Sequence, residues 1–407
     1  MVLLEGAELG ETRTRVRLEP FAHQVGGHTS MLRYDETTLC KPLFSQEQVF
    51  YESLPADMKP FTPQYRGLIS VYVEKDSSGH ISLVACPQND NESPAQGPPM
   101  ATKRTQQRAK TSCAAEHKPA REGPLLDRTC NDSRSSVCGT GKGKGKRDAS
   151  FHMKDPNGNE SATPERSSHN PWGLHCHRAQ LMRMSSDSKD NASYKGAAAL
   201  LYSLTAASGF LLLENVASPF QLPCILDLKM GTRQHGEDAS EEKKRRHMKK
   251  CEQSTSSSLG LRLGGMQVYQ ATTGLFLCRN KYDGRTLTVE GFRQALYQYL
   301  HDGHQLKREL LQPVLQRLSA LRAVIERQGS YRFYSSSLLL IYEGKKHSPG
   351  RHPFSAPPRV DVRMIDFAHT SYRGATPNHT AYEGPDRGYI FGVENLINML
   401  QEIKDGD

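Results

Sequence analysis

The sequence is poor in apolar residues, and this scarcity sets the first limit on its fold. Only 36% of its 407 residues are hydrophobic, 24% are charged and a single tryptophan is present. A chain this polar is not expected to fold along its whole length into one core, so we predict a sizeable disordered part. Its formal net charge of +9 fits basic linkers, and equally a nucleic acid, a membrane surface or a phosphorylated substrate as partner.

Paired cysteines and long hydrophobic segments are also missing. The nine cysteines are scattered without a CxxC pair, which argues against a disulfide framework. The His-Cys-His run at residues 175–177 has no second cluster that would complete a zinc site. The uncharged run 196–213 contains Ser, Thr and Gly, and the first residues carry acids early, so neither a membrane span nor a signal peptide is predicted. We therefore expect a reducing compartment, the cytoplasm and also the nucleus.

The most informative stretch is residues 223–231 (PCILDLKMG), where an apolar run delivers one acid and one base. Asp227 and Lys229 occupy alternate positions and so point to the same face of a strand, and Gly231 lets the backbone turn away. A cation-rich helix is expected to follow, with one face formed by Lys243, Arg246, His247 and Lys250. Such a pair is often a structural ion pair, and such a face is often merely solvated. Together they predict a site for a highly anionic ligand.

Residues 18–86 read as a small β-rich domain with one helix. A glycine turn at residues 25–28 precedes an apolar strand that contains Lys41, and Ser45 with Gln48 predicts a capping box for a helix that carries Glu47. Alone, Lys41 would be an ordinary solvent-facing strand lysine. The order of glycine turn, strand lysine and helix acid is nevertheless that of a kinase small lobe, in which the lysine binds nucleotide phosphates and pairs with the helix glutamate.

No periodic pattern is found in residues 87–195, which we interpret as a disordered insertion. Its basic run at 142–147 does not match a phosphate-binding P-loop. Its segment 170–174 (NPWGL) holds the only tryptophan and is expected to dock on the folded core.

Two later strands end in acids. The strand at 210–213 leads into Glu214 and Val216, as a kinase hinge approaches adenine. The strand at 360–365 ends at Asp366, where a kinase places its Mg²⁺-binding aspartate, although a lone acid after a strand is also a common hydrogen-bonded loop residue. Between them, Thr288 is expected to cap one helix and Pro313 to kink a second.

The chain resembles the inositol polyphosphate kinase family. Three family motifs occur in the expected order, PxxxDxKxG at 223–231, Ser-Leu-Leu at 337–339 and Ile-Asp-Phe at 365–367. Features similar to its inositol hexakisphosphate kinase branch are LKMGTRQHG at 228–236, FTPQY at 61–65 and NPWGL at 170–174. Within that branch the chain looks like the shortest of the mammalian paralogues. The resemblance covers about residues 16–86 and 168–407.

The resemblance implies an α+β, two-lobed, protein-kinase-like fold with a long disordered insertion in the N-lobe. The expected boundaries are a flexible N-terminus at 1–17, the N-lobe at 18–86, the insertion at 87–195, the end of the N-lobe and hinge at 196–216, and the C-lobe with the inositol phosphate and metal sites at 217–407. The implied activity is ATP-dependent phosphorylation of inositol hexakisphosphate, and of the pentakisphosphate, to diphosphoinositol polyphosphates.

The resemblance also implies roles for individual residues, with ATP and Mg²⁺ as cofactors. Asp227 and Lys229 would act at the acceptor, and Asp366 would hold Mg²⁺. The expected nucleotide site comprises Lys41, its helix partner Glu47, Glu214, Val216, Ser337 and Asp366. Further substrate-side candidates are Lys243, Arg246, Lys250 and His369.

Two other readings stay open at the level of sequence. A sibling kinase, a trisphosphate 3-kinase or a multikinase, would act on lower inositol phosphates. A non-catalytic phosphate-binding scaffold would use the basic helix and the insertion, which could also bind protein partners. No aromatic interleaving or nucleic-acid motif accompanies the charge, so no specific nucleic acid is expected.

Overall fold

The computed structural model describes residues 15–27, 30–75, 81–86, 209–345, 358–373 and 382–406. All described elements belong to one of the two compact units into which the chain divides. The predicted insertion, its NPWGL segment and most of the predicted flexible N-terminus lie outside the described residues. Among those described, no helix is both long and apolar enough to cross a membrane.

The N-terminal lobe is a sheet closed into a barrel around a small apolar core. Its strands are β1 (Val16–Pro20), β2 (Leu32–Arg33), β3 (Thr38–Pro42), β4 (Tyr65–Lys75), β5 (Ile81–Cys86) and β6 (Phe210–Glu214). β6 pairs with both β3 and β4. The chain therefore leaves this lobe after β5 and returns to its centre at β6, which fits an insertion within the N-lobe.

Helix α1 (Ser45–Glu52) and a 3-10 turn (Lys59–Phe61) follow β3. The predicted capping box is wrong, because Ser45 is already the first helical residue and the cap position is taken by Phe44, whose side chain makes no capping bond. The Gln48 amide instead donates to Glu52 one turn further along the helix, at 2.8 Å.

The C-terminal lobe is built on an antiparallel sheet in the order β12-β11-β7-β8-β9. Its strands are β7 (Pro223–Met230), β8 (Leu261–Gln270), β9 (Leu275–Arg279), β11 (Ser337–Glu343) and β12 (Val360–Ile365), and β10 (Arg332–Tyr334) pairs separately with β13 (His369–Ser371). Because β7 is central, almost all of its residues are buried. The motif read from the sequence thus lies in the middle strand of the lobe.

Helices surround this sheet. They are α2 (Glu241–Glu252), α3 (Thr255–Leu259), α4 (Lys281–Thr286), α5 (Val289–Tyr299), α6 (Leu311–Arg327) and α7 (Arg387–Asp405). Thr288 caps α5 as predicted, accepting from Gly291 N at 3.1 Å. The kink at Pro313 was predicted wrongly, since this residue lies in the first turn of a continuous α6, where its missing N–H has no intrahelical partner to lose. The α+β organisation in two lobes is confirmed.

Candidate active site

A cavity of about 320 Å³ is lined by both lobes. Its apolar part is formed by Val25, Leu39, Leu213, Val216, Ile225 and Ile341. Next to it lie the charged residues Lys41, Asp227, Lys229 and Asp366, and the basic part contains His247, Lys250, Arg262, Arg285 and His369. The cavity therefore combines an apolar slot, an acid–base cluster and a cationic wall.

Four charged side chains from four segments form a continuous chain of contacts. Lys41 Nζ on β3 lies 2.8 Å from Glu47 Oε1 on α1 and 2.9 Å from Asp366 Oδ1. Lys229 Nζ on β7 lies 2.6 Å from Asp366 Oδ2, and it also donates to Ser335 O at 3.2 Å. The structure thus brings Lys41 to its expected helix partner, and it joins Lys229 to Asp366, which sequence reasoning had assigned to a different part of the site.

The backbone holds Asp366 and Glu47 in this arrangement. Asp366 has a φ of +66°, a left-handed conformation that is costly for a residue other than glycine and is concentrated at functional sites. Glu47 is fully buried and accepts a hydrogen bond from Phe367 N at 2.9 Å. Helix α1 is therefore tied to the Ile-Asp-Phe segment by the same carboxylate that contacts Lys41.

The electrostatics keep this cluster ionised. Burial alone would lower the pKa of Lys41, but Asp366 and Glu47 outweigh burial and raise it. Burial alone would raise the pKa of Asp366, but Lys229 and Lys41 hold it well below its usual value. Near neutral pH Lys41 therefore carries its proton and Asp366 is a carboxylate.

Asp227 lies in a different environment although it is only two residues from Lys229. It is 3% exposed, and its Oδ1 has no hydrogen-bond partner among the described residues. Burial raises its pKa, and the nearby Lys229 opposes this only in part. The register of β7 and β8 shifts beside Asp227, so a β-bulge lies directly against this carboxylate.

We expect Asp227→Asn to raise the melting temperature at pH 8. Folding raises the pKa of Asp227. The free energy of unfolding is therefore highest below the pKa that Asp227 has in the unfolded chain, and it falls as the pH rises through the pKa of the folded state. An amide cannot ionise, so the advantage of the variant should shrink as the pH is lowered towards the usual pKa of an unfolded aspartate, about 4. Melting curves of both proteins from pH 8 down to that value test this. A variant less stable than the wild type at pH 8 would contradict it.

The basic part of the cavity only partly matches the predicted helix face. His247 and Lys250 of α2 line the cavity, whereas Lys243, which is half-buried, does not. Arg246 is exposed and the structure does not bring it to the cavity. Ser240 caps this helix by accepting from Lys243 N at 3.3 Å.

Two imidazoles of the basic part are neutral near pH 7. Burial, with Lys250 as the next cause, lowers the pKa of His247 to about 4. Burial, followed by Lys243, also lowers the pKa of His369, whose Nδ1 has no hydrogen-bond partner among the described residues. Lysines and arginines therefore supply the positive charge of this wall.

Comparison with known proteins decides the family. The family model "Inositol polyphosphate kinase" matches residues 210–401. The chain is 50% identical to inositol hexakisphosphate kinase 3 of Homo sapiens, over 100% of both chains. It is 48% identical to inositol hexakisphosphate kinase 1 of Rattus norvegicus, over 99% of this chain and 98% of the relative. The chain belongs to the inositol polyphosphate kinase family. It is a kinase.

A solved structure of the family was also found. It is the inositol phosphate multikinase of S. cerevisiae in complex with ADP and Mn²⁺, 28% identical to this kinase. The alignment covers 49% of this chain and 85% of that chain, with a TM-score of 0.41.

One residue of the expected nucleotide site of this kinase, Ser337, is placed differently from the expectation. Glu214 lines the cavity, and its carboxylate accepts from Gln64 N at 3.0 Å and from Arg363 Nη1 at 3.1 Å, which links β6 to β12. Val216 contributes a buried side chain to the apolar slot. Ser337 is fully buried and is not a cavity residue, whereas Ser335 is. The adenine contacts of the hinge backbone stay a prediction.

Sequence reasoning missed Arg262 and Arg285 of the cationic wall. Arg262 on β8 donates from Nη1 to Ser256 Oγ at 2.9 Å, and burial lowers its pKa. A charged residue between Leu261 and Leu263 is the same signal that drew attention to Lys41, so it could have been found. Arg285 could not, because its place at the cavity depends on the close packing of α4 on β8, where an added Cβ on Gly284 would lie 2.0 Å from Leu263 O.

The carboxylate of Asp366 is suited to contribute to a divalent metal site in this cavity. The described residues contain no cluster of three or more His, Cys, Asp or Glu side chains that could hold a metal alone. Asp366 offers two carboxylate oxygens whose only described side-chain contacts are the ammonium groups of Lys41 and Lys229. Mg²⁺ bound to nucleotide takes one or two protein carboxylates and completes its shell with phosphates and water, so the donor set fits.

Proposed function

We propose that this chain is an ATP-dependent kinase that phosphorylates inositol hexakisphosphate, and also the pentakisphosphate, to diphosphoinositol polyphosphates. The observation that carries the proposal is the contact of Lys41 and Lys229 with the two oxygens of Asp366, beside a wall of Lys and Arg in the same cavity. The names of the relatives that match it from end to end support this acceptor. The five cysteines among the described residues form no disulfide, which agrees with the proposed cytoplasmic and nuclear location.

On the nucleotide side, adenine would occupy the apolar slot beside Leu39, Leu213 and Ile341. Lys41, held from behind by Glu47, would turn from Asp366 to the ATP phosphates. Asp366 would hold Mg²⁺, which supplies neutralisation of phosphate charge when bound. In this arrangement the protein contributes position and charge rather than a covalent intermediate.

On the acceptor side, the cationic wall would hold the phosphates that do not react. An oxygen of one acceptor phosphate forms a bond to the γ-phosphorus of ATP while the bond to the β–γ bridging oxygen breaks, giving ADP. Lys229 lies between Asp366 and the acceptor side, so its ammonium can follow the charge of the transferred group. A phosphate monoester has a second pKa of about 6, so the attacking oxygen is already ionised near neutral pH.

Asp227 is therefore expected to matter less as a base for this acceptor than for a hydroxyl. We predict that Asp227→Asn slows phosphorylation of the free hydroxyl of a pentakisphosphate far more than phosphorylation of a phosphate of the hexakisphosphate, because only the hydroxyl must lose a proton. Steady-state rates of formation of the two separated products measure the ratio. Equal losses would show that Asp227 acts in another way, by arranging Lys229 or a metal.

The function is tested with labelled ATP and a panel of inositol tris-, pentakis- and hexakisphosphates. Transfer to the hexakisphosphate is expected. Transfer confined to the lower phosphates would indicate the sibling kinase, and tight binding of all acceptors without transfer would indicate the scaffold.

A further inference from the structure

The chain between β7 and α2 leads from Lys229 to the cationic wall. We call residues 231–239 the acceptor loop. Gln234 lies in its middle and is buried, and its side-chain amide donates to Met230 O at 2.6 Å and to Gly231 O at 3.2 Å. Donation to two carbonyl groups fixes the direction of the amide and holds the loop against the end of β7.

The acceptor loop also holds α2, which carries part of the wall. The backbone of Gln234 is hydrogen-bonded to the imidazole of His247 and to the thiol of Cys251, both on α2. His247 lines the cavity, and Lys250 of the same helix lines it as well. The position of the acceptor loop therefore decides how far this helix lies from β7 and its transfer residues.

Two tyrosines from later segments of the chain contact the acceptor loop. The guanidinium Cζ of Arg233 lies over the ring of Tyr334, 4.3 Å from its centroid. The Tyr334 hydroxyl donates to the Tyr382 hydroxyl at 3.0 Å, and the Tyr382 hydroxyl donates to the carboxylate of Glu237. Arg332 covers the other ring, with its Cζ 4.5 Å from the centroid of Tyr382. The two tyrosines thus hold the loop at two separate points.

The hydrogen bonds of this pair have a fixed direction. Burial raises the pKa of Tyr334, and its hydrogen bond with Tyr382 raises it further, so the phenol keeps its proton near neutral pH. Each hydroxyl therefore donates towards Glu237. The chain of hydrogen bonds ends on a charged acceptor, where such a bond is strongest.

Tyr334 is also next to the transfer site. The following residue, Ser335, lines the cavity in a left-handed conformation with a φ of +62°, and its carbonyl oxygen accepts from Lys229 Nζ at 3.2 Å. A residue other than glycine keeps this conformation only where its surroundings over-determine it. Tyr334 therefore connects the ammonium of Lys229 with the acceptor loop.

We propose that Tyr334 and Tyr382 are positioning residues for the acceptor. Through Arg233 and Glu237 they hold the acceptor loop, and the loop sets the distance between Lys229 and the part of the wall that α2 carries. Neither tyrosine lines the cavity. A polyanionic acceptor needs this distance, because its phosphates must reach the wall and the transfer site at once. The nucleotide does not, because the acceptor loop contributes nothing to the apolar slot.

The proposal rests on the proposed kinase function, and binding of inositol hexakisphosphate without nucleotide tests it apart from catalysis. Tyr382→Phe removes the hydrogen bond to Glu237 and keeps the ring that Arg332 covers. We expect the Kd for inositol hexakisphosphate, measured by calorimetry, to rise about tenfold, because a hydrogen bond to a charged group is lost. The KM for ATP should change by less than about twofold.

Tyr297→Phe is the matched control. Tyr297 is exposed on α5 and lies outside the cavity, so neither constant should change. If Tyr382→Phe does not fold, Tyr334→Phe, which keeps the ring under Arg233, is expected to raise the same Kd by a smaller factor.

A double variant separates positioning from a general loss of stability. Tyr334→Phe breaks the same chain of hydrogen bonds one step earlier, so the double variant should bind the acceptor no more weakly than Tyr382→Phe alone. An unchanged Kd in Tyr382→Phe, or equal weakening of ATP and acceptor, would overturn the proposal. A wild type that binds ATP but no inositol phosphate would overturn the proposed function, and this inference with it.

Discussion

Asp366→Asn is expected to lower kcat by about a thousandfold or more while the chain stays folded. The substitution keeps the shape of the side chain and removes the charge that Lys41 and Lys229 both contact. It also removes the carboxylate that would hold the metal. Lys41 keeps Glu47 as a partner, but Lys229 loses its only described carboxylate contact, so a loss of stability of up to about 3 kcal/mol is expected as well.

The measurement is the steady-state rate with Mg-ATP, together with the melting temperature. Asp361→Asn on the same strand is the matched control, because Asp361 pairs with Arg317 and Arg363 outside the cavity. That variant should lose stability and keep its kcat. A kcat of Asp366→Asn within tenfold of the wild type would show that the acid is an ordinary structural loop residue.

Lys229→Met should have the second largest effect, a fall in kcat of about a hundredfold or more. The ammonium of Lys229 is the one group that reaches both Asp366 and Ser335 O, and it lies on the strand that also carries Asp227. The substitution removes an electrostatic interaction that would be stronger with the transition state than with either substrate. We therefore expect kcat to fall by a larger factor than the KM for ATP rises.

Full kinetic curves for both substrates give this split. Lys59→Met, an exposed residue of the 3-10 turn, serves as the control for loss of a cation. If Lys229→Met changed stability but not kcat, the pair with Asp366 would be structural, and the simplest reading of the motif as an ion pair would be right.

The contacts that could be predicted are those set by local order along the chain. Lys41 lies on β3 and Glu47 on α1, the next element along the chain, so their contact follows from the order of these two elements. The contact of Lys229 with Asp366 joins residues 137 positions apart. It depends on β7 and β12 both flanking β11, and no periodicity within either strand reveals this.

Orientation was the other limit. The helical period placed four residues of α2 on one face, but it does not say which part of the helix faces the cavity, and only His247 and Lys250 of the four line it. Similarly, the glycines at 26 and 27 predicted a turn, whereas the close approach of Gly26 to Asp227 depends on a bulge in β8. The short helix α4, which brings Arg285 to the cavity, begins at a capping box formed by Asn280 and Asp283 that was overlooked.

The central claim is that this cavity transfers phosphate onto phosphate. Its most direct test is ³¹P NMR of the product formed from Mg-ATP and inositol hexakisphosphate. We expect a pair of coupled resonances from a new diphosphate group on the inositol ring, with loss of the signal of one monoester. A reaction that yields only ADP and inorganic phosphate, or that phosphorylates only free hydroxyls of lower inositol phosphates, would contradict it.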